Sequence, residues 1–240
     1  MLFRCFLVQG SWNFKSMLGL GFCFCTVPIV KRLYKDEQRC SLFLKRHIDF
    51  FNAHPYFASW ALGAVAREEE KAFTTGATDT EAIRTFKERM AGPLGVLGDQ
   101  LFWSRIKPLS AGLGVLLALT IGYSAVIVFI VLYNVPHMYV RVKGLFLGYK
   151  NGFSVTSYLS MERFRGFLKA LNIASMLVCG LLFMAAAKWS IVHDYSVLFA
   201  FIISAGLTFV LLKIGKSINI IMFIISGVGL LTGILFTLLG

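Results

Sequence analysis

An all-α integral membrane protein is the fold class this sequence predicts, and three observations predict it. Apolar residues make up 57% of the 240, and mean hydropathy is +0.73, whereas soluble domains are roughly 45–50% apolar. Leu109–Tyr133, Ala170–Ala187, Tyr195–Leu212 and Ile218–Leu239 carry no charge over 25, 18, 18 and 22 residues, each long enough for a helical span. Two polar stretches, 47–55 and 92–108, set His, Asp, Asn and Trp between Gly and Pro. Polar side chains beside irregular backbone are what a solute pathway through a membrane needs.

Residues 1–30 are apolar but interrupted. Met17–Val30 contains Gly19, Gly21 and Pro28 and is too short for a routine span, so it predicts an interfacial or re-entrant helix. Gln9, Trp12, Asn13 and Lys15 break any signal-peptide core, so the start is expected to stay on the mature protein.

Residues 31–108 form a charged helical region. Positions 31–107 hold 13 Lys/Arg and 10 Asp/Glu. Ser41–Phe51 predicts a helix with Leu44, Ile48 and Phe51 on one face. A second helix is expected from Thr78 or Asp79 to Met90, with Ile83 and Phe86 inward. Gly92 and Pro93 predict a break, and a re-entrant loop around Gly98-Asp99.

Residues 109–240 are expected to form a bundle of about four transmembrane helices. Gly112, Gly114, Gly227, Gly229 and Gly233 permit close helix packing. The loop 137–169 carries six Lys/Arg against Glu162 alone, which predicts a cytoplasmic side. Residues 188–194 then face outward. If Leu109–Tyr133 crosses once, the basic region 31–107 falls outside. A long loop can escape the rule; alternatively the Gly92–Lys107 region dips into the membrane, or Gly122 folds the run into a hairpin, and re-entrant structure is the favoured expectation.

The net charge of +12 therefore reads as topology signal and contact with anionic headgroups, and no nucleic acid is expected as a partner. The five cysteines contain no Cys-x-x-Cys pair, and neither metal nor cofactor is expected. There is no Walker loop, Gly-x-Ser-x-Gly elbow, kinase signature or zincin motif, so no catalytic residue is expected in this chain.

Six residues are candidates for a pathway. Asp99 fits either a helix N-cap or a carboxylate accepting hydrogen bonds from sugar hydroxyls. Trp103, one turn on, offers a flat apolar face to a pyranose ring. Asn52 and His54 flank the Pro55 break and fit capping, interhelical hydrogen bonds or substrate contact. Of Glu68, Glu69 and Glu70, three adjacent carboxylates cannot share one helix face; an inward Glu68 or Glu69 is a pathway candidate, with Glu70 solvated near Arg67 or Lys71.

Five ordered motifs then carry a resemblance. They are Gln9-Gly-Ser-Trp-Asn-Phe14; Gly21-Phe22 through Pro28 to Lys31-Arg32-Leu33-Tyr34; Arg46 through Pro55; Leu62-Gly63 with Glu68-Glu69; and Gly92-Pro93-Leu94 with Gly98-Asp99, Phe102-Trp103 and Pro108. Over Gln9 to about Trp189 the chain resembles the IID membrane subunit of the mannose/fructose/sorbose sugar phosphotransferase system. The resemblance implies a IIC membrane subunit as partner and a hexose path shared with it. It also implies a trimer of such pairs, and cytoplasmic IIA and IIB subunits, with the phosphohistidine on IIB. The expected location is the bacterial cytoplasmic membrane, spanned several times.

Departures from the family pattern are Asp49, Gly95-Val96-Leu97, Gln100, Ser104-Arg105 and Lys107, together with a short segment after Trp189. They leave a second possibility, a degenerate regulatory or structural subunit that no longer moves sugar.

Overall fold

The computed structural model describes residues 1–76 and 80–193, with 202–203, 206–211, 213–215, 220, 224 and 227. Residues 1–179 make one compact unit and 180–240 a second; every candidate residue lies in the first. Its named elements are all helical, and the extended pairings among described residues are the bridges Asn13–Met17 and Met17–Phe51.

The short α1 (Leu2–Cys5) leads through turns to α2 (Gly19–Leu33). Helix α3 (Glu37–His47) starts at Asp36, whose carboxylate accepts the Arg39 N–H at 2.9 Å. Its basic last turn suits the negative end of the helix dipole. Lys87 adds a cap there, donating to the carbonyls of Arg46 (3.2 Å) and His47 (3.5 Å). The helix therefore ends four residues short of the expected Phe51. Ile48 is exposed, and Phe51 is buried through its pairing with Met17 rather than as part of a helical face.

Helix α4 (Ala58–Thr75) buries its whole small-residue start, Ala58 to Ala66, and stops at Gly76 in the left-handed region. Helix α5 (Thr80–Gly98) turns Ile83 and Phe86 inward as expected. It does not break at Gly92-Pro93. A proline inside a helix costs about 3 kcal/mol, but Met90, Leu94 and Leu97 are all buried on either side of it and hold the helix through. The expected Gly-Asp loop is likewise helical: Asp99–Ile106 forms a π-helical segment running straight on from α5 into α6 (Lys107–Ile121).

The run Leu109–Tyr133 is not one helix. Gly122 has φ +59° and opens a 3-10 turn, Gly122–Ser124, between α6 and α7 (Ala125–Asn151). Side chains resist that dihedral and glycine does not. The two helices then pack on each other, with Phe129 against Gly114. Because α7 continues to Asn151, Arg141 belongs to a helix and not to a solvated loop; it is 4% exposed. A second 3-10 segment, Gly152–Tyr158, leads to α8 (Met161–His193).

The centre of the unit is α4 against α7. A Cβ on Gly63 would sit 2.1 Å from the Leu145 carbonyl oxygen, and one on Gly148 2.2 Å from that of Trp60. The two helices thus touch backbone to backbone, as small residues allow.

Thr80–Tyr158 and Met161–Ala185 hold stretches long and apolar enough to cross a membrane, and only 6% and 11% of their most apolar windows are buried in the fold. The expected span Ala170–Ala187 falls within α8. Tyr195–Leu212 and Ile218–Leu239 lie largely outside the described residues.

Candidate functional site

The site is built around His54. The chain leaves α3 at His47 and pairs at Phe51, and the His54 carbonyl then accepts from the N–H groups of Phe57 and Ala58 (3.0 Å each), which starts α4. The His54 ring turns inward and is 2% exposed. Its Nδ1 accepts the Tyr56 N–H at 3.2 Å, which puts the ring proton on Nε2. That Nε2 is buried without a partner. Burial, then the nearby Arg141 charge, push the imidazole down to about 4, so it is neutral at pH 7.

The π segment packs against this ring. A Cβ on Gly98 would lie 2.1 Å from the His54 Cβ, so only glycine lets the segment approach. Phe102 stacks on the imidazole at 5.6 Å and 19°, and Trp103 meets it edge-on at 5.2 Å and 62°. An i→i+5 stretch inside a helix often marks a functional position, and here its two consecutive rings both reach one histidine. Trp103 remains 53% exposed. Asp99, also exposed, follows Gly98 directly. It sits inside a continuous helix and not at an N-cap, since the cap of the π segment is Gly98.

Behind His54 lies a second layer that the sequence reading missed. The Tyr56 ring stacks on His137 (4.5 Å, 21°), lies 4.7 Å from the Arg141 guanidinium, and its hydroxyl is 2.7 Å from that of Tyr133. Arg141 donates to the Cys5 carbonyl, while its Nε and the His137 Nδ1 are buried without partners. The available signal was spacing: Tyr133, His137 and Arg141 recur every four residues, one face of a helix.

Glu69 is engaged elsewhere. Of the three adjacent glutamates it is the fully buried one. Arg46 grips it with Nε (3.1 Å) and Nη2 (2.8 Å), and His47 Nε2 donates at 2.9 Å. Burial alone would raise the Glu69 carboxyl; the bonds from His47 and Arg46 outweigh it and hold it below its usual range. Burial also lowers His47, so the ring is a neutral Nε2–H donor to an ionised Glu69. Glu68 is half-buried, with its carboxylate against Gly152. Glu70 pairs with Arg32 at 3.6 Å and accepts from the Tyr149 hydroxyl, not from Arg67 or Lys71. Asn52 is exposed, two residues before His54. The structure thus brings His54, Asp99 and Trp103 to one place and sets Glu69 in a separate ion cluster.

Two of the departures from the family pattern interact. Arg105 Nη1 donates to Gln100 Oε1 at 2.6 Å and to the Gln100 carbonyl, and Nε donates to Asn172 Oδ1 at 2.8 Å. The added arginine therefore braces the π segment against α8.

The chain is similar to known proteins in sequence and in fold. The PTS system mannose/fructose/sorbose family IID component matches residues 1–238, further along the chain than the motifs alone reach. The mannose-specific EIID component of Escherichia coli (strain K12) is 34% identical over 190 residues, covering 78% of this chain and 65% of that protein. The fructose permease IID component of Bacillus subtilis is 30% identical over 193 residues, covering 80% and 69%. The structure of the mannose transporter ManYZ with microcin E492 superposes with a TM-score of 0.60 at 33% identity, over 75% of this chain and 66% of that one. The matched region thus spans somewhat under two thirds of the Escherichia coli relative's length. On the match from residue 1 to 238, the chain belongs to the IID component family of the mannose/fructose/sorbose phosphotransferase system.

Proposed function

We propose that this chain is the membrane subunit of a phosphoenolpyruvate-dependent sugar permease in the bacterial cytoplasmic membrane. It forms the hexose path with a IIC subunit, in a trimer of such pairs, while cytoplasmic IIA and IIB subunits supply the phosphoryl group. The observation that carries the reading is the His54–Gly98–Trp103 contact within a family match of nearly the whole chain. A pyranose ring has an apolar C–H face and a polar edge. Trp103 provides an exposed ring for the first, and Asp99 and Asn52 exposed acceptors for the second. His54 positions Trp103. Of the two α4 candidates, half-buried Glu68 is the one still open to the path, while Glu69 is buried and held by its ion cluster.

In this reading α6 and α7 enter the membrane as a re-entrant hairpin. The Gly122 turn and the packing of the two helices support this. The 15 residues of α6 extend about 22 Å, less than the roughly 30 Å hydrocarbon core. A hairpin returns the chain to the side it left, so residues 31–107 and 137–169 are both cytoplasmic and the positive-inside rule holds throughout. Helix α8 then crosses outward.

The test is phosphoenolpyruvate-dependent phosphorylation of a hexose panel by membranes with and without this gene, general phosphotransferase proteins being in excess. Loss of one sugar on deletion, restored by the intact gene but not by Asp99→Asn or Trp103→Ala, is the expected result and names the sugar. No loss for any sugar, with the chain still copurifying with IIC, contradicts the proposal and points to a regulatory subunit.

A further inference from the structure

A groove of about 360 Å³ runs between the π segment, α6, α7 and the start of α8, sharing only Phe102 with the His54 site. Leu113, Leu132, Phe167 and Leu171 are among its walls, and its polar groups are the Ser110 hydroxyl and the Tyr139 hydroxyl. No Asp or Glu lines it. Much of its wall comes from the stretch 108–140, which carries no Asp, Glu, Lys or Arg, and the rest from the π segment and the first turns of α8. In the membrane its surroundings are hydrocarbon.

Lining chemistry decides what fits. The walls are almost wholly apolar side chains, which suits an alkyl chain. Charge decides the rest. At one end Lys143, exposed, donates to the Tyr139 hydroxyl at 2.7 Å and lies 5.0 Å from that ring. Lys107, also exposed, follows the lining residue Ile106. The nearby carboxylate Glu162 is taken by Arg165 at 3.3 Å. Two exposed lysines with no ion pair among the described residues, one bonded to the lining Tyr139 and the other next to the lining Ile106, match a lipid with an anionic head and an alkyl tail.

We infer that this groove binds one anionic glycerophospholipid from the cytoplasmic leaflet, an acyl chain between α6, α7 and α8 and the phosphate at Lys107 and Lys143. The inference rests on the chain lying in the membrane with its basic segments cytoplasmic, as proposed above. The bound lipid fills the cleft at the foot of the hairpin and fixes its angle to α8.

The test uses the full chain, copurified with its membrane partner and exchanged into vesicles of equal phosphatidylglycerol and phosphatidylcholine, with retained lipid read by native mass spectrometry. The expected result is retention of phosphatidylglycerol over phosphatidylcholine by roughly thirtyfold, on the scale two lysines at a membrane surface supply. K107Q/K143Q, two exposed changes, abolishes the preference, and Leu113→Trp lowers retention of both lipids with helix content unchanged. Equal retention of the two lipids by the unaltered protein overturns the inference, as does indifference to Leu113→Trp or a groove found filled by the partner protein. Hexose phosphorylation on the same membranes separates the two readings. Lost lipid preference with phosphorylation intact removes only the lipid site. Intact lipid preference with no sugar phosphorylated removes only the sugar path.

Discussion

Two polar clusters lie inside the same helical unit and differ in what they hold: one centres on a buried carboxylate with both oxygens bonded, although His47 Nδ1 has no partner, and the other is a group of rings and a guanidinium around Tyr56 with no carboxylate. Around Glu69, Arg46 uses two donors and His47 one, and Lys87 closes the helix end beside them. Around Tyr56, nitrogens of His54, His137 and Arg141 are buried with no partner. A buried charge is stable when its bonds are complete, so the first cluster ties α3 to α4. Buried groups with unused capacity are costly. The second cluster sits behind His54 and Trp103, the rings proposed to face sugar, and the first does not. Burial alone does not separate the two; the presence of a carboxylate that meets the buried charge does.

Breaking the Glu69 cluster has the largest expected effect. Glu69→Ala leaves Arg46 and His47 without their carboxylate and costs about 3–5 kcal/mol. Thermal unfolding in detergent reads it directly; a midpoint equal to that of the unaltered protein would show the cluster to be ornamental. Glu69→Gln, which keeps the volume, falls between.

Acid probes both clusters at once. His47 and His54 have lower pKa values folded than unfolded, so the unfolded chain binds more protons and stability declines as pH falls below about 6.5. His54 contributes on the order of 3 kcal/mol of that decline between its ordinary 6.5 and its folded value of about 4. Glu69, also lowered, adds a further loss below the usual carboxylate range. His54→Phe removes the share of His54 and flattens the upper part of the profile; an unchanged profile would place the titrating groups elsewhere.

The contact between the site and the π segment is probed by Gly98→Ala. Its methyl lands on the His54 Cβ, and overpacking of this kind costs about 1–3 kcal/mol. Sugar phosphorylation is expected to fall with it, because Trp103 loses its backing. Retained activity together with lowered stability would detach His54 from the sugar path. The smallest stability effect belongs to Trp103→Ala, within about 0.5 kcal/mol for so exposed a ring, with lowered hexose uptake. That pairing is the reverse of Glu69→Ala, and it is the sharpest version of the comparison.

The sequence supported the helical class, the inward Ile83 and Phe86, and the family, because periodicity, uncharged length and ordered motifs are local properties. It did not support the course of 92–106. Gly-Pro and Gly-Asp are sound break signals, but buried Met90, Leu94 and Leu97 outweigh the proline. It indicated that one of three glutamates turns inward without saying which, since the choice is made by Arg46 and His47 more than 20 residues away. Arg141 looked like a loop charge because its neighbours are basic; its burial depends on Cys5 and Tyr56, from two distant segments. The tertiary partner was the missing term in each case.

The glycine seam between α4 and α7 also has a mechanical consequence. Helices that meet through side chains slide by repacking rotamers. Helices pressed together at Gly63 and Gly148, main chain on main chain, have little room to rearrange there. The pair is therefore expected to move as one stiff unit, with bending concentrated at the irregular joints beside it, the turn at Gly122 and the i→i+5 stretch next to His54. One of those joints holds Phe102 and Trp103, so under the proposed function a tilt of the hairpin changes the ring geometry presented to a sugar.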